Sequence, residues 1–388
     1  MRANVGGKIG PDDVIGRDDL IAHLWDILDR QSVVLTAERR LGKTSVITKM
    51  VAELPEGRDA VFQDLEKVHS TDEFARTVLE GASQFLSKTG KAKAALEKFL
   101  RRVRGVKIAN VGEIPGGVAC DWKELLSLIF NELARRERPL IFFWDELPMM
   151  LVNIRDRESE RQAMEVLDVL RAFRQTHSNV RMVFTGSIGF HNAILALRRK
   201  GYANAPINDM CMEDVPPLLP EHAVDLAQRI CAGEGIELLD GRETLVAIAK
   251  YSDRVPFYIH HIVRVLADGR HPASIEGVRS VVDSLLADPH DKWHMLHYRE
   301  RIHSYYEEAR ERLALLILDS VAHEDGPLTF PDLFRRISGA LKAEREATLD
   351  LLQRLQSDHY LIMDSDGRYG FRFDLVKRWW RLHRGLGS

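Results

Sequence analysis

The chain has 388 residues, 45% of them hydrophobic and 29% charged, with a formal net charge of −3. That length gives a prior of two or three domains with real cores, and the charge excludes general attraction to nucleic acid, so any such contact must come from a local patch. Three scattered cysteines (Cys120, Cys211, Cys231) form neither a disulfide framework nor a metal pattern, the N-terminus lacks a signal-peptide core, and no apolar run approaches the ~20 residues of a membrane span, so a cytoplasmic setting without a membrane partner is expected.

Taken in order, Val14-Ile15-Gly16-Arg17-Asp18 reads as a turn and helix start, followed by apolar positions at helical spacing (Leu20, Ile21, Leu24, Ile27, Leu28). Ser32 to Thr36 is strand-like. It runs into Ala37-Glu38-Arg39-Arg40-Leu41-Gly42-Lys43-Thr44-Ser45 and then a helical stretch over 46–52. Strand, charged turn, Gly-Lys-Thr and helix make the layout of a phosphate-binding loop. Backbone N–H groups at the start of the helix would face the phosphates, with Ala37, Arg39, Arg40, Leu41, Gly42, Lys43, Thr44 and Ser45 as the candidate binding residues; Lys43 would reach the terminal phosphates, and the Thr44 hydroxyl would ligate Mg²⁺. Ala37 stands where the pattern wants its first glycine.

Residues 59–66 read as the next strand, and 71–88 and 91–104 as helices. The second helix is the most basic run, with Lys91, Lys93, Lys98, Arg101, Arg102 and Arg104. A solvated face is its ordinary reading; a phosphate-backbone patch is the sharper one. Residues 103–117 suggest a short strand and a glycine-rich turn, and 122–135 a helix. Residues 68–120 are treated as an insertion. Leu140-Ile141-Phe142-Phe143-Trp144-Asp145-Glu146 is a buried parallel strand with two carboxylates at its C-terminal end, where ligands of α/β sheets bind. Asp145 is the candidate to hold Mg²⁺ through water. Glu146 is the candidate to orient and deprotonate the attacking water. Either motif alone reads as ordinary structure; both together, in this order, point to a nucleotide site.

A helix is expected over 156–176 and a strand over 179–187, ending Thr185-Gly186-Ser187. Ser187 is the candidate γ-phosphate sensor and Thr185 the reserve, against the plain reading of a turn after a strand. A short helix ends at Arg198-Arg199-Lys200, and 207–212 reads as a fifth strand. Four helices follow without a strand between them, at 220–235, 240–251, 255–267 and 274–287. Pro256 suits a helix start and is a candidate to pack on the nucleotide base. Further on come a helix over 292–322, Phe330-Pro331-Asp332-Leu333-Phe334, a helix near 342–357 and two strands around Asp364-Ser365-Asp366-Gly367-Arg368. These parts make a winged helix, closed by a helix carrying Trp379 and Trp380.

The Gly-Arg lead-in, Arg39-Arg40-x-Gly42-Lys43-Thr44-Ser45, the strand ending Asp145-Glu146, Thr185-Gly186-Ser187, the proline-bearing helices and Tyr369-x-Phe371 with Trp379-Trp380 together resemble the archaeal-type ATPases of the STAND branch of AAA+-related P-loop proteins. The resemblance covers nearly the whole chain, with 68–120 and 291–310 least characteristic. It implies an α/β P-loop NTPase of ASCE type, with a strand inserted between the loop and magnesium strands, an all-α lid and a C-terminal winged helix. The corresponding domains are an ATPase core at 12–215, a lid at 216–290 and a winged-helix domain at 291–388. It further implies ATP/ADP and Mg²⁺ as cofactors, Val14, Ile15 and Gly16 beside the base, and a slow, regulated ATPase switch whose nucleotide state moves lid and winged helix. Arg254 stands where such families often have glycine. Arg198 and Arg199 lie where ring-forming relatives place an arginine finger, although a solvated helix end is the ordinary reading. A protein partner for signalling or defence is the main expectation, with nucleotide-dependent homo-oligomers. The alternative is a DNA-binding AAA+-like ATPase of initiator, loader or mobile-element type. The helix at 343–357 sums to −1, poor for a helix that enters a DNA groove.

Overall fold

The computed structural model describes residues 1–86, 121–186, 192–194 and 206–387. The part of the expected insertion at 87–120, with its basic run, and also Ser187, Arg198 and Arg199, lie outside the described residues. The chain divides into two compact units. One comprises Asp18–Thr36 and Lys43–Val215; the other comprises Met1–Arg17, Ala37–Gly42 and Pro216–Ser388.

The first unit runs α1 (Asp18–Leu28), β1 (Val33–Thr36), α2 (Lys43–Ala52), β2 (Asp59–Asp64), α3 (Thr71–Ala82), α4 (Trp122–Leu133), β3 (Leu140–Asp145), α5 (Leu147–Arg157), α6 (Glu160–Thr176), β4 (Val180–Thr185) and β5 (Cys211–Asp214). The five strands form one parallel sheet in the order β2-β3-β4-β1-β5. β4 therefore separates the loop strand β1 from the acid-tipped strand β3, as the family resemblance implies. All six residues of β3 are buried, as a central parallel strand covered by helices requires. Trp144 anchors the core on one side of the sheet, with its ring 5.0 Å from Phe142, 5.5 Å from Phe74 and 5.8 Å from Phe184.

Two expectations are corrected here. The single helix anticipated from 156 is preceded by another, α5, and the chain breaks at Glu158–Ser159. Ser159 is extended and its side chain accepts the Gln162 N–H, capping α6. The signal for α5 was Pro148, which suits a first helical turn. The fifth strand starts at Cys211 rather than at 207. The Arg174 guanidinium donates to both oxygens of Asp209 at 2.9 Å and to the Pro206 carbonyl at 2.6 Å, holding that stretch as a turn.

The second unit contains α7 (Pro220–Glu234), α8 (Arg242–Tyr251), α9 (Pro256–Ala267), α10 (Ile275–Leu286), α11 (His297–Tyr305), α12 (Glu308–His323), β6 (Leu328–Thr329), α13 (Phe330–Ala340), α14 (Arg345–Ser357), β7 (Leu361–Met363), β8 (Arg368–Phe371) and α15 (Asp374–Arg384). Helix α12, β6, α13, α14 and the hairpin β7–β8, with an antiparallel sheet in the order β6-β8-β7, give the winged-helix arrangement. Gly367 turns the hairpin at φ 74°. The expected long helix over 292–322 is instead two helices. Tyr306 is extended between them, and its hydroxyl donates to Asp358 Oδ2 at 2.6 Å. Trp379 and Trp380 are buried, and the Trp380 indole donates to Asp319 at 2.8 Å. No described helix is long and apolar enough to cross a membrane.

Candidate nucleotide site

In the first unit, α2 opens with Lys43 and Thr44, and Lys43 is almost wholly buried. The Thr44 hydroxyl donates to Asp145 Oδ2 at 2.7 Å. The Thr185 hydroxyl donates to Asp145 Oδ1, and the Glu146 N–H donates to the same oxygen at 3.1 Å. Parallel pairing brings the ends of β3 and β4 together, so a carboxylate and two hydroxyls converge in the crevice beyond the strand termini. Hydroxyl plus carboxylate is the hard-oxygen donor set that suits Mg²⁺. Glu146 itself is left-handed, at φ 57° and ψ 30°, a conformation that costs a residue with a Cβ about 1–2 kcal/mol. That geometry turns the chain from β3 into α5. Among the described residues no group of three or more His, Cys, Asp or Glu side chains could hold a metal.

The preceding half of the loop, Ala37–Gly42, belongs to the second unit. Arg40 and Gly42 are both left-handed, at φ 73° and 91°. The Arg40 guanidinium lies 4.0 Å from the centre of the Phe257 ring and donates to the Trp293 carbonyl. Arg17 is buried and donates to the Leu41 carbonyl at 2.9 Å and to the Pro216 carbonyl at 2.8 Å. Burial lowers its guanidinium to about 10, still charged at neutral pH. Glu38 is 2% exposed. Its carboxylate accepts from Arg301 Nη1 at 3.0 and 3.1 Å and from the Arg39 N–H at 2.8 Å, with His297 Nε2 at 3.5 Å. Burial alone would raise the Glu38 carboxyl, but Arg301 and His297 outweigh it and hold the group well below the usual carboxylate range.

The sequence-derived residues thus fall into place unequally. Lys43, Thr44, Asp145, Glu146 and Thr185 gather at the ends of three neighbouring strands. Thr185, the reserve sensor, spends its hydroxyl on Asp145. Arg39, Leu41 and Gly42 lie in the loop and Ser45 in the first turn of α2, while Arg40 turns its side chain to Phe257 and Trp293. Val14, Ile15 and Gly16 precede α1. Gly16 is required where it stands, because its φ is +67° and a Cβ would come within 2.5 Å of the His222 side chain. Pro256 opens α9, and the following residue, Phe257, is the one whose ring meets Arg40. Arg17, read from sequence only as part of the Gly-Arg lead-in, and Glu38 and Arg301 were given no site role from sequence. The position of Glu38, an acid inside a candidate phosphate loop, carried a signal; Arg301 carried none.

A five-stranded parallel sheet with the Gly-Lys-Thr loop after β1 and an acidic pair ending β3, the two strands separated by β4, defines a P-loop α/β ATPase fold. Solved structures agree at the level of fold. A Walker-type ATPase of Pyrococcus abyssi is similar over 98% of this chain and 100% of its own, at 15% identity and a TM-score of 0.66. The ORC2 protein of Aeropyrum pernix, solved in ADPNP–ADP complexes, is similar over 98% of each chain at 11% identity and a TM-score of 0.57. No protein-family model matches the sequence, and no curated protein does.

Proposed function

We propose that this protein binds Mg-ATP and hydrolyses it slowly, as a conformational switch of AAA+ type. The observation that carries the reading is the convergence of the Thr44 hydroxyl on Asp145 at the foot of α2. The loop N–H groups and Lys43 bind the phosphates, and the positive end of α2 favours their charge. Thr44 and, through water, Asp145 would hold Mg²⁺, which would neutralise charge on the phosphate oxygens. Glu146 accepts the proton of the attacking water, and Ser187 or Thr185 senses the γ-phosphate. Val14, Ile15, Gly16 and Pro256 flank the base. The functional divisions are the core at 12–215, the lid at 216–290 and the winged helix at 291–388.

For the role of the switch, the end-to-end likeness to the ORC2 protein favours the DNA-associated, initiator-type reading. A second reading, a STAND-type signalling or defence switch docking a protein, draws on the exposed face of α14. Arg354 turns inward, 4.1 Å over the Tyr306 ring, which leaves Arg345, Glu346 and Asp350 outside. Ile362 and Met363 are about half exposed on β7 nearby in the same module. ATP hydrolysis by wild type and Glu146→Gln, each with and without double-stranded DNA, tests all of this. Stimulation by DNA supports the initiator-type role; an unresponsive but active wild type supports the docking role. Absence of hydrolysis under every condition would remove the catalytic assignments.

A further inference from the structure

Glu38 presents a problem for a loop that binds phosphate. A carboxylate there repels the ligand unless its charge is cancelled, and a buried carboxylate is costly unless it is paired. Arg301, on α11, supplies the pairing through one arm of its fork. Its other arm, Nη2, donates to the backbone carbonyl of Asp358 and lies 3.8 Å from that residue's carboxylate. Asp358 is the C-cap of α14 and stands just ahead of β7. The guanidinium sits 5.0 Å from the Tyr360 ring, and the Tyr360 hydroxyl donates to the Tyr298 carbonyl at 2.6 Å. One planar cation therefore touches both the phosphate loop and the joint between the two halves of the winged helix. Glu38 also occupies the Arg39 N–H, so the carboxylate's position decides whether that loop donor is turned toward a phosphate.

We infer that Arg301 is a positioning residue for nucleotide binding: it neutralises Glu38 within the phosphate loop and, by bridging Glu38 to Asp358, transmits movement of the loop to the β7–β8 hairpin. The inference rests on the nucleotide reading above and adds the residues through which the loop addresses the winged helix. Coupling of this kind is reciprocal, so whatever holds the hairpin alters nucleotide affinity by the same factor. Arginine is needed because its fork can serve two acceptors at once; lysine keeps the charge but is a single point.

The test compares the full-length wild type with Arg301→Lys, Arg301→Gln, Glu38→Gln/Arg301→Gln and Lys43→Ala. The readouts are ADPNP affinity with Mg²⁺ and amide hydrogen exchange over residues 358–371 with and without ADPNP. In wild type, ADPNP should change exchange in the hairpin by about fivefold or more. Arg301→Lys should keep the charge compensation of Glu38, so that ADPNP affinity falls less than in Arg301→Gln, and lose the hairpin response. Arg301→Gln should weaken ADPNP by about tenfold, the size of one uncompensated charge near phosphate. The double variant removes both members of the Glu38–Arg301 pair, while the buried Asp358 keeps the Tyr306 hydroxyl at 2.6 Å and Arg354 at 4.0 Å; it should recover affinity but not the response. A hairpin that responds normally in Arg301→Lys, a double variant that fails to recover affinity, or a wild-type hairpin indifferent to bound ADPNP would each overturn the relay alone. A wild type that does not bind ADPNP, or binds it no better than Lys43→Ala, would overturn the nucleotide reading, and the relay with it.

Discussion

Thr44 and Asp145, 101 positions apart in the chain, are joined by a hydrogen bond of 2.7 Å. This bond brings the end of the phosphate-loop motif to the end of the acidic strand. Because Asp145 also accepts from Thr185 and the Glu146 N–H, its substitution disturbs three partners together.

Asp145→Asn should lower stability by about 1.5–3 kcal/mol, the range for hydrogen bonds to a charged group, since an amide offers one acceptor where the carboxylate offers two. It should also abolish Mg²⁺-dependent ATP turnover. Urea denaturation and a phosphate-release assay with varied Mg²⁺ read the two effects separately. Unaltered turnover would remove Asp145 from the metal site.

Glu146→Gln should cut ATP turnover by about 10²–10⁴-fold, the usual contribution of a positioned general base, while leaving ATP affinity near wild type. Glu146→Gly has a different expected outcome. It should lose turnover equally yet relieve the left-handed backbone, offsetting part of the entropy cost of the new glycine. Comparing the thermal midpoints of the two variants isolates the backbone contribution.

Removal of the Arg40 side chain should destabilise the second unit. Its stacking on Phe257 at 4.0 Å is worth about 0.5–2 kcal/mol, depending on how dry the contact is, and its bond to the Trp293 carbonyl adds to this. Arg40→Gly should cost less than Arg40→Ala because φ at this position is 73°. Equal losses in the two variants, measured by denaturation, would show that the backbone there relaxes freely.

Stability should fall as pH rises from about 4 to 7 through one group in the second unit. Desolvation pushes the Asp253 carboxyl up to about 7, against the hydrogen bond it accepts from the Leu375 N–H at 2.7 Å. A carboxyl with a raised folded pKa contributes fully below its unfolded value, near 3.9, and loses that contribution as pH climbs through the folded one. The slope for one proton is at most about 1.4 kcal/mol per pH unit. Asp253→Asn keeps an acceptor for Leu375 and should flatten that part of the stability profile. An unchanged profile would assign the slope to other groups.

Much of this architecture is legible in the chain. The run Leu140 to Trp144 has no polar residue and can only be a strand covered on both faces, and its position before Asp145-Glu146 locates the ligand end of the sheet. The four helices between 220 and 287 follow from apolar spacing and proline starts. Gly367 between two short strands marks the hairpin. Sequence fails where a break is imposed from a distance. No glycine or proline marks a break at Tyr306, yet the residue is extended and its hydroxyl reaches Asp358, 52 positions away. Likewise Asp209 lies in a turn where Arg174 clamps it, although Ile207 and the run from Met210 to Met212 suggest a strand through it.

What the sequence by itself determined is the set of chemical groups and their local settings. A Gly-Lys-Thr at the head of a helix, an acidic pair at the end of a buried strand and the helical and hairpin periodicities all depend on contacts a few residues apart. What only the tertiary structure decided is where charged side chains end. Arg40, in the loop by position, goes to Phe257 and Trp293, and Glu38, two residues earlier in the same loop, becomes the partner of Arg301. The physical reason is that a buried charge must find its opposite wherever the fold brings one. Position 301 is brought to position 38 by packing, which no local pattern records.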